Sequence, residues 1–319
     1  MKVLANDGIA NSGKEALEKA GFEVITEKVE QADLIEAINE NGYEVLLVRS
    51  ATKVREDIID ACPSLKMIGR GGVGMDNIDV DYARSKGINV FNTPASSSQS
   101  VAELVMAHLF GAVRFLHQAN REMPIKGTSD FKILKKNYAK GIELRGKTLG
   151  IYGFGRIGQA LAQYALGCGM KVLVYDRNEG PFDITLSIAD QNLTVTLERS
   201  QLEEVLTQSD FISLHVPATD GALIGEAEIA KMKDGAILLN AARGGVVDEM
   251  ALLTALNEGK IAHAALDVFE NEPTPSAEIL SHEKISLSPH IGAATLEAQD
   301  RIGTELADNI IAHYQKQEA

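Results

Sequence analysis

The sequence predicts an α/β fold made of two doubly wound parallel-sheet domains. Two observations carry this reading. Short apolar runs alternate with stretches of helical periodicity, the rhythm of βαβ units. The chain also has 319 residues, more than one hydrophobic core usually serves.

In the N-terminal part, runs 2–5, 22–25, 45–48, 65–68 and 88–91 read as buried strands. Helical patterns lie between them, among them 14–20, 31–39 and 78–86. Gly21, Gly42 and Gly87 each follow a helical pattern, where a left-handed C-terminal cap is wanted. Residues 96–120 then read as one long amphipathic helix opened by a serine cluster, and 126–145 as a polar irregular stretch. Strand-like runs resume at 148–152, 171–175, 193–196, 211–214, 236–240, 263–266 and 284–287, and a helix at 296–314 closes the pattern. There is no solenoid repeat.

Composition narrows the class. Hydrophobic residues at 45% and charged residues at 24% fit a globular chain and exclude disorder. A net charge of -14 without a basic block argues against nucleic acid and anionic membrane as partners. Cys62 and Cys168 stand alone, without C-x-x-C spacing, so they read as reduced packing residues, and no metal site is expected. The first residues meet Asp7 before any apolar leader forms, and the apolar stretch 101–116 is broken by Glu103, His108 and Arg114. A cytoplasmic enzyme is the expectation.

The sharpest motif is Gly153-Phe154-Gly155-Arg156-Ile157-Gly158, placed between the strand-like run 148–152 and the helical pattern 159–166. Gly153 permits the tight turn, Gly155 admits a pyrophosphate close to the backbone, and Gly158 allows close helix–strand packing. The following strand ends at Asp176, 18 residues beyond Gly158, where an acid holds the ribose hydroxyls. These features predict a Rossmann domain that binds NAD, since a carboxylate repels a 2′-phosphate, although Arg177 beside it pulls the other way. On its residues alone, Asp176 also fits a solvated strand end.

Hydride transfer at a hydroxyl-bearing carbon needs a base, a cation for a neighbouring carboxylate, and a group that tunes the base. Arg243, Glu272 and His290 follow successive strands of the second half, and strand C-termini line the ligand crevice of an open parallel sheet. Singly, Arg243 also fits a surface arginine, Glu272 an ordinary loop acid and His290 a satisfied loop histidine. His215, after the run 211–214, is placed to line the same cleft.

Together, 153–158, 240–245, 267–273 and 288–293 resemble the D-isomer-specific 2-hydroxyacid dehydrogenase family over nearly the whole chain. The resemblance implies that Arg243 binds the substrate carboxylate and carbonyl, that His290 is the general acid/base, and that Glu272 hydrogen-bonds His290. It implies cofactor contacts from Arg156 and Ile157 at the pyrophosphate, Asp176 at the ribose, and Asp267 with Ala241 and Ala242 at the nicotinamide end, joined by Gly292 and Ala293. It also implies that residues 96–287 form the NAD-binding Rossmann domain, inserted into a flavodoxin-like substrate domain of residues 1–95 and 288–319. A homodimer formed through the region of 96–120 is implied as well.

Arg49 and Ser50 end one strand-like run, and Arg70 with Gly72, Val73 and Gly74 ends the next. Glycines there let backbone N–H groups face an anion, and two arginines offer more positive charge than one carboxylate needs. Both also fit surface arginines. Segments 48–54 and 68–79 resemble the D-3-phosphoglycerate dehydrogenase branch of the family, whose corresponding arginines hold the substrate phosphate. That branch oxidises 3-phosphoglycerate to 3-phosphohydroxypyruvate on the way to serine. Longer members carry a C-terminal serine-sensing domain; with Ala319 as the last residue, feedback through one is not expected. The alternatives are a glyoxylate or hydroxypyruvate reductase and, in another class, a dinucleotide-sensing corepressor. His108, His117, His263, His282 and His313 read as structural.

Overall fold

The computed structural model describes residues 1–318; Ala319, assigned by the sequence to the substrate domain, lies outside the described residues. The chain divides into two compact units, Met1–Ser98 with the segment from Ala293 onward, and Gln99–Gly292.

In the first unit, β1 (Lys2–Ala5), β2 (Glu23–Ile25), β3 (Val45–Val48), β4 (Met67–Arg70) and β5 (Asn89–Asn92) form a parallel sheet in the order β2-β1-β3-β4-β5. This is the flavodoxin-like order. Helices α1 (Asn11–Lys19), α2 (Leu34–Asn41), α3 (Glu56–Ala61) and α4 (Val80–Ser85) make the crossovers. Side chains alternate between the two faces with the pleat. Leu4, Leu46 and Ile68 pack with Leu34 and Ile38 on one side, and Val3, Val45 and Leu47 pack with Leu17, Ile302 and Leu306 on the other. The last helix meets α1 backbone to backbone: a Cβ on Gly13 would lie 2.2 Å from the Gly303 oxygen.

The second unit begins with α5 (Ser98–Val113), α6 (Leu116–Lys126) and α7 (Phe131–Asn137). It continues through β6 (Thr148–Tyr152), α8 (Arg156–Gly167), β7 (Lys171–Tyr175), β8 (Phe182–Ile188), β9 (Gln191–Leu197), α9 (Leu202–Gln208) and β10 (Phe211–Leu214). It ends with α10 (Glu226–Lys231), β11 (Ala236–Asn240), α11 (Glu249–Glu258), β12 (Ile261–Leu266), α12 (Ala277–Ser281) and β13 (Ile285–Leu287); α13 (Leu296–Glu318) follows in the first unit. The parallel sheet has the order β13-β12-β11-β10-β6-β7. A single parallel bridge from Val174 to Arg199 stands beyond β7. The order reverses between β6 and β10, the switch point beside which open α/β sheets bind ligands.

Three expectations are corrected. The helix expected over 96–120 breaks after Val113, because Phe115 takes a left-handed conformation with φ of 56°. That conformation costs roughly 1–2 kcal/mol, offset by the Phe115 ring packing on His263 and Tyr138 at 5.4 and 5.8 Å. The stretch 126–145 is not wholly irregular, since α7 lies in it. The strand expected at 193–196 belongs to an antiparallel hairpin, β8–β9, outside the parallel sheet. The hairpin replaces a crossover helix, burying Ile184 and setting Phe182 against Phe154 at 5.0 Å. Among the described residues, no helix is long and apolar enough to cross a membrane.

Candidate active site

The glycine turn after β6 has a distinct steric reason at each position. Gly153 has φ of 93°, and a Cβ on it would lie 2.4 Å from the His215 carbonyl oxygen. A Cβ on Gly158 would lie 2.4 Å from the Gly153 oxygen, so this glycine lets α8 press against its own entry turn. Gly155 is exposed, caps α8, and has nothing within 4 Å of its Cβ position. The protein itself therefore sets no steric requirement for glycine there, and the start of α8 at this turn is open. Arg156 and Ile157 form the first turn of that helix, with Arg156 exposed.

Asp176 follows β7 and accepts from the Phe154 amide at 2.5 Å and the Asn178 amide at 2.8 Å. Its carboxylate thus joins the glycine turn to the end of β7, and each oxygen retains acceptor capacity. Arg199 donates to the Asp176 carbonyl at 2.7 Å and lies over the Tyr175 ring. His215 follows β10, with Nε2 2.9 Å from Ser213 Oγ; burial pushes its pKa down to about 4. These groups fit a dinucleotide along the carboxyl ends of β6, β7 and β10.

Arg243, Glu272 and His290 follow the next three strands, β11, β12 and β13. Asn240 ends β11 in the core, donating to the Arg243 carbonyl at 2.9 Å and accepting the Ala242 amide at 3.0 Å. This staple shapes the Ala241–Ala242 turn, and Arg243 Nη1 caps the Ala242 carbonyl at 2.6 Å. Gly244 brings the turn hard against the loop after β12, where a Cβ would lie 1.8 Å from the Phe269 oxygen. Glu249 and Glu270 fix the same two segments to one another, each carboxylate accepting the other residue's amide at 2.9–3.0 Å. Burial holds the Glu249 carboxyl above the usual range.

Glu272 bridges that loop to the histidine. Its Oε1 accepts the Phe269 amide at 3.0 Å, and its Oε2 lies 2.7 Å from His290 Nδ1. A carboxylate only accepts, so Nδ1 carries a proton and Nε2 is the nitrogen left for chemistry. His290 is exposed and has φ of 53°. Its left-handed backbone is held from Asp267, whose carbonyl accepts the His290 amide at 2.8 Å. The Asp267 carboxylate, almost wholly buried, accepts from Ser288 Oγ at 2.5 Å, the Ile291 amide at 2.9 Å and the Gly292 amide at 2.8 Å. Asp267 therefore organises the loop on which His290 sits, and Ser288–Gly292 pack with the second unit. Ala293 belongs to the first unit, its carbonyl accepting from Gln299 at 2.9 Å.

In the first unit, Val48 and Arg70 are register partners, so Arg49 and Arg70 leave the carboxyl ends of neighbouring strands. Asp7 accepts the amides of Arg49 and Thr52 at 2.6 and 3.0 Å, and Asn77 donates to their carbonyls at 2.7 and 2.6 Å. Together they hold the loop containing exposed Ser50. Thr93, fully buried, accepts the Gly72 amide at 2.8 Å, so that amide is already paired within the loop. Sequence reasoning missed Asn240, Thr93 and Asp7. Their signal was a polar residue at or just beyond the end of an apolar strand run. Among the described residues, no group of His, Cys, Asp and Glu is set to hold a metal ion.

Residues 106–292 match the family model described as D-isomer specific 2-hydroxyacid dehydrogenase, NAD binding domain. The chain is 44% identical to the hydroxypyruvate reductase of Thermotoga maritima, over 97% of each chain. It is 43% identical to the D-3-phosphoglycerate dehydrogenase of Methanocaldococcus jannaschii over 97% of its own length, and it spans 57% of that longer relative. A glyoxylate reductase structure from Paecilomyes thermophila superposes with a TM-score of 0.84 at 30% identity, covering 99% of this chain and 95% of that one. With two parallel α/β sheets, a glycine turn built for a dinucleotide and a carboxylate-held histidine, the chain belongs to the D-isomer specific 2-hydroxyacid dehydrogenase family.

Proposed function

We propose that the chain catalyses NAD-dependent oxidation of D-3-phosphoglycerate to 3-phosphohydroxypyruvate. The observation that carries the choice of acid is the pair Arg49 and Arg70 at the ends of adjacent strands. Arg243 would serve the carboxylate, and two further arginines at adjacent strand ends suit a second, more highly charged anion.

In this reading Gly155, Arg156 and Ile157 hold the pyrophosphate, and Asp176 the ribose. The Ala241–Ala242 turn and Asp267 define the nicotinamide end. NAD, when bound, supplies the acceptor for the hydride leaving C2. His290 Nε2 takes the proton of the C2 hydroxyl as that carbon becomes a carbonyl. Glu272 keeps the ring oriented and stabilises the imidazolium that forms. Arg243 orients the carboxylate and polarises the nascent carbonyl oxygen. Asp176 favours NAD over NADP by repelling a 2′-phosphate. The working form is a homodimer, supported by Phe110, Leu116 and Ile125, which lie 47%, 56% and 80% exposed on α5 and α6.

A second reading, reduction of hydroxypyruvate or glyoxylate, is favoured by the full-length match to the hydroxypyruvate reductase. One panel separates the two. Initial rates followed by NADH absorbance are compared for 3-phosphoglycerate, glycerate, hydroxypyruvate and glyoxylate, with NAD(H) and with NADP(H). The proposal requires kcat/KM to be highest on the phosphorylated pair with NAD(H). Faster turnover of the unphosphorylated acids replaces it with the second reading, and cofactor binding without turnover of any acid replaces both with a sensor.

A further inference from the structure

A buried hydrogen-bond chain runs from the middle of α5 into the loop that carries His290. His108 Nδ1 lies 2.8 Å from Ser286 Oγ, and its Nε2 lies 2.8 Å from Ser288 Oγ. Ser288 Oγ in turn donates to Asp267 Oδ1 at 2.5 Å. The same carboxylate accepts the amides of Ile291 and Gly292, and the Asp267 carbonyl accepts that of His290. His108 is thus three links from the backbone of the histidine assigned as acid/base.

The direction of each bond follows from what each group offers. An ionised carboxylate only accepts, so the Ser288 hydroxyl proton points at Asp267. The Ser288 oxygen is then left as an acceptor, and His108 must donate to it from Nε2. A neutral ring protonated at Nε2 accepts at Nδ1, which the Ser286 hydroxyl satisfies. Burial lowers the His108 pKa, in keeping with that neutral form. With a neutral ring, every polar atom in the chain is satisfied in this arrangement. A leucine at 108 would fill the space but release the Ser288 hydroxyl to rotate away from Asp267.

We propose that His108 is a positioning residue of the dehydrogenase: it locks Ser288 onto Asp267 and so fixes the loop that aims His290. The proposal rests on His290 being the acid/base. It places a determinant of turnover in the middle of α5. Its effect falls on the alignment of His290, so it appears in kcat and not in the binding of acid or cofactor.

The test is a double-mutant cycle with a conservative rescue. His108→Leu lowers kcat about three- to tenfold, the worth of one neutral hydrogen bond, with both KM values within twofold of the parent. His108→Gln, whose amide nitrogen reaches where Nε2 stood, restores most of the rate. Ser288→Ala lowers kcat comparably, and adding His108→Leu to it lowers kcat no further. Thermal melting of each purified variant identifies any that fail to fold, and the glutamine and alanine variants then decide. Unchanged kcat in His108→Leu overturns the proposal, as do independent, multiplying effects of the two substitutions. His290→Ala run alongside keeps the levels distinct. If that variant retains the parent rate, the acid/base assignment itself fails; if it is inactive while the 108 variants are normal, only the positioning role fails.

Discussion

Glu272 grips two partners at once, with Oε2 2.7 Å from His290 Nδ1 and Oε1 3.0 Å from the Phe269 amide. The loop after β12 and the loop after β13 are therefore tied through a single carboxylate. The tie orients the imidazole and, if His290 is the acid/base as proposed, sets a carboxylate beside the ring that takes the proton. Glu272→Ala removes both effects and is expected to lower kcat by about 10²-fold, the lower end for general acid–base catalysis. Glu272→Gln keeps a hydrogen-bond partner without the charge and should fall between the two. Steady-state kinetics check this. A raised KM with kcat intact would instead make Glu272 a substrate contact.

Arg70 gives the second prediction. Its strand partner is Val48, so Arg70 and Arg49 leave the same end of neighbouring strands. If the two hold a phosphate, Arg70→Ala loses a charge-assisted contact of about 1.5–3 kcal/mol. KM for 3-phosphoglycerate should then rise roughly tenfold to a hundredfold, while KM for glycerate changes less than threefold. Equal changes for the two acids would remove the phosphate from the assignment.

The sequence showed most of this framework wherever one local rule governs. Strands such as β1, β3, β6 and β10 are short buried runs, and apolar runs of that kind announce themselves. The glycine turn and Asp176 were legible because spacing along the chain carries their chemistry. The helix break was not, because the left-handed Phe115 is stabilised by His263, far along the chain. The β8–β9 hairpin was half seen: 193–196 showed as a strand, while the partner run 182–188 alternates weakly and lies largely at the surface. Asp267 stood out in the sequence as a candidate. Its task of holding Ser288, Ile291 and Gly292 is set by pairing across more than twenty residues, which no local pattern records.

Acid stability gives the third prediction. Burial holds His215 and His263 neutral, with pKa values lowered to about 4, whereas an unfolded histidine titrates near 6.5. Between those values the unfolded chain binds more protons than the folded one, so stability rises with pH across the window and is lost as pH falls through it. The urea midpoint should be flat above pH ~7 and decline steadily toward pH ~4. His263→Phe keeps a ring against Phe115 and His117 but does not titrate. Its midpoint should fall less steeply over the same range. Parallel declines in parent and variant would assign the acid sensitivity to other groups.

The two glycines that flank the start of α8 separate binding from folding. A methyl at 155 meets nothing within 4 Å, whereas one at 158 would lie 2.4 Å from the Gly153 oxygen. Backbone cannot yield as a flexible side chain does, so Gly158→Ala must push α8 off β6, at about 1–3 kcal/mol of stability. Gly155→Ala should melt at or slightly above the parent temperature, because its φ of -70° suits alanine and the substitution restricts the unfolded chain. The same methyl stands where a pyrophosphate has to approach the helix N-terminus, so KM for NAD should rise at least tenfold. Melting curves and cofactor titrations on the two variants check both halves. A Gly155→Ala enzyme with parental affinity for NAD would mean that the dinucleotide does not cross this turn, whatever the stability of its neighbour.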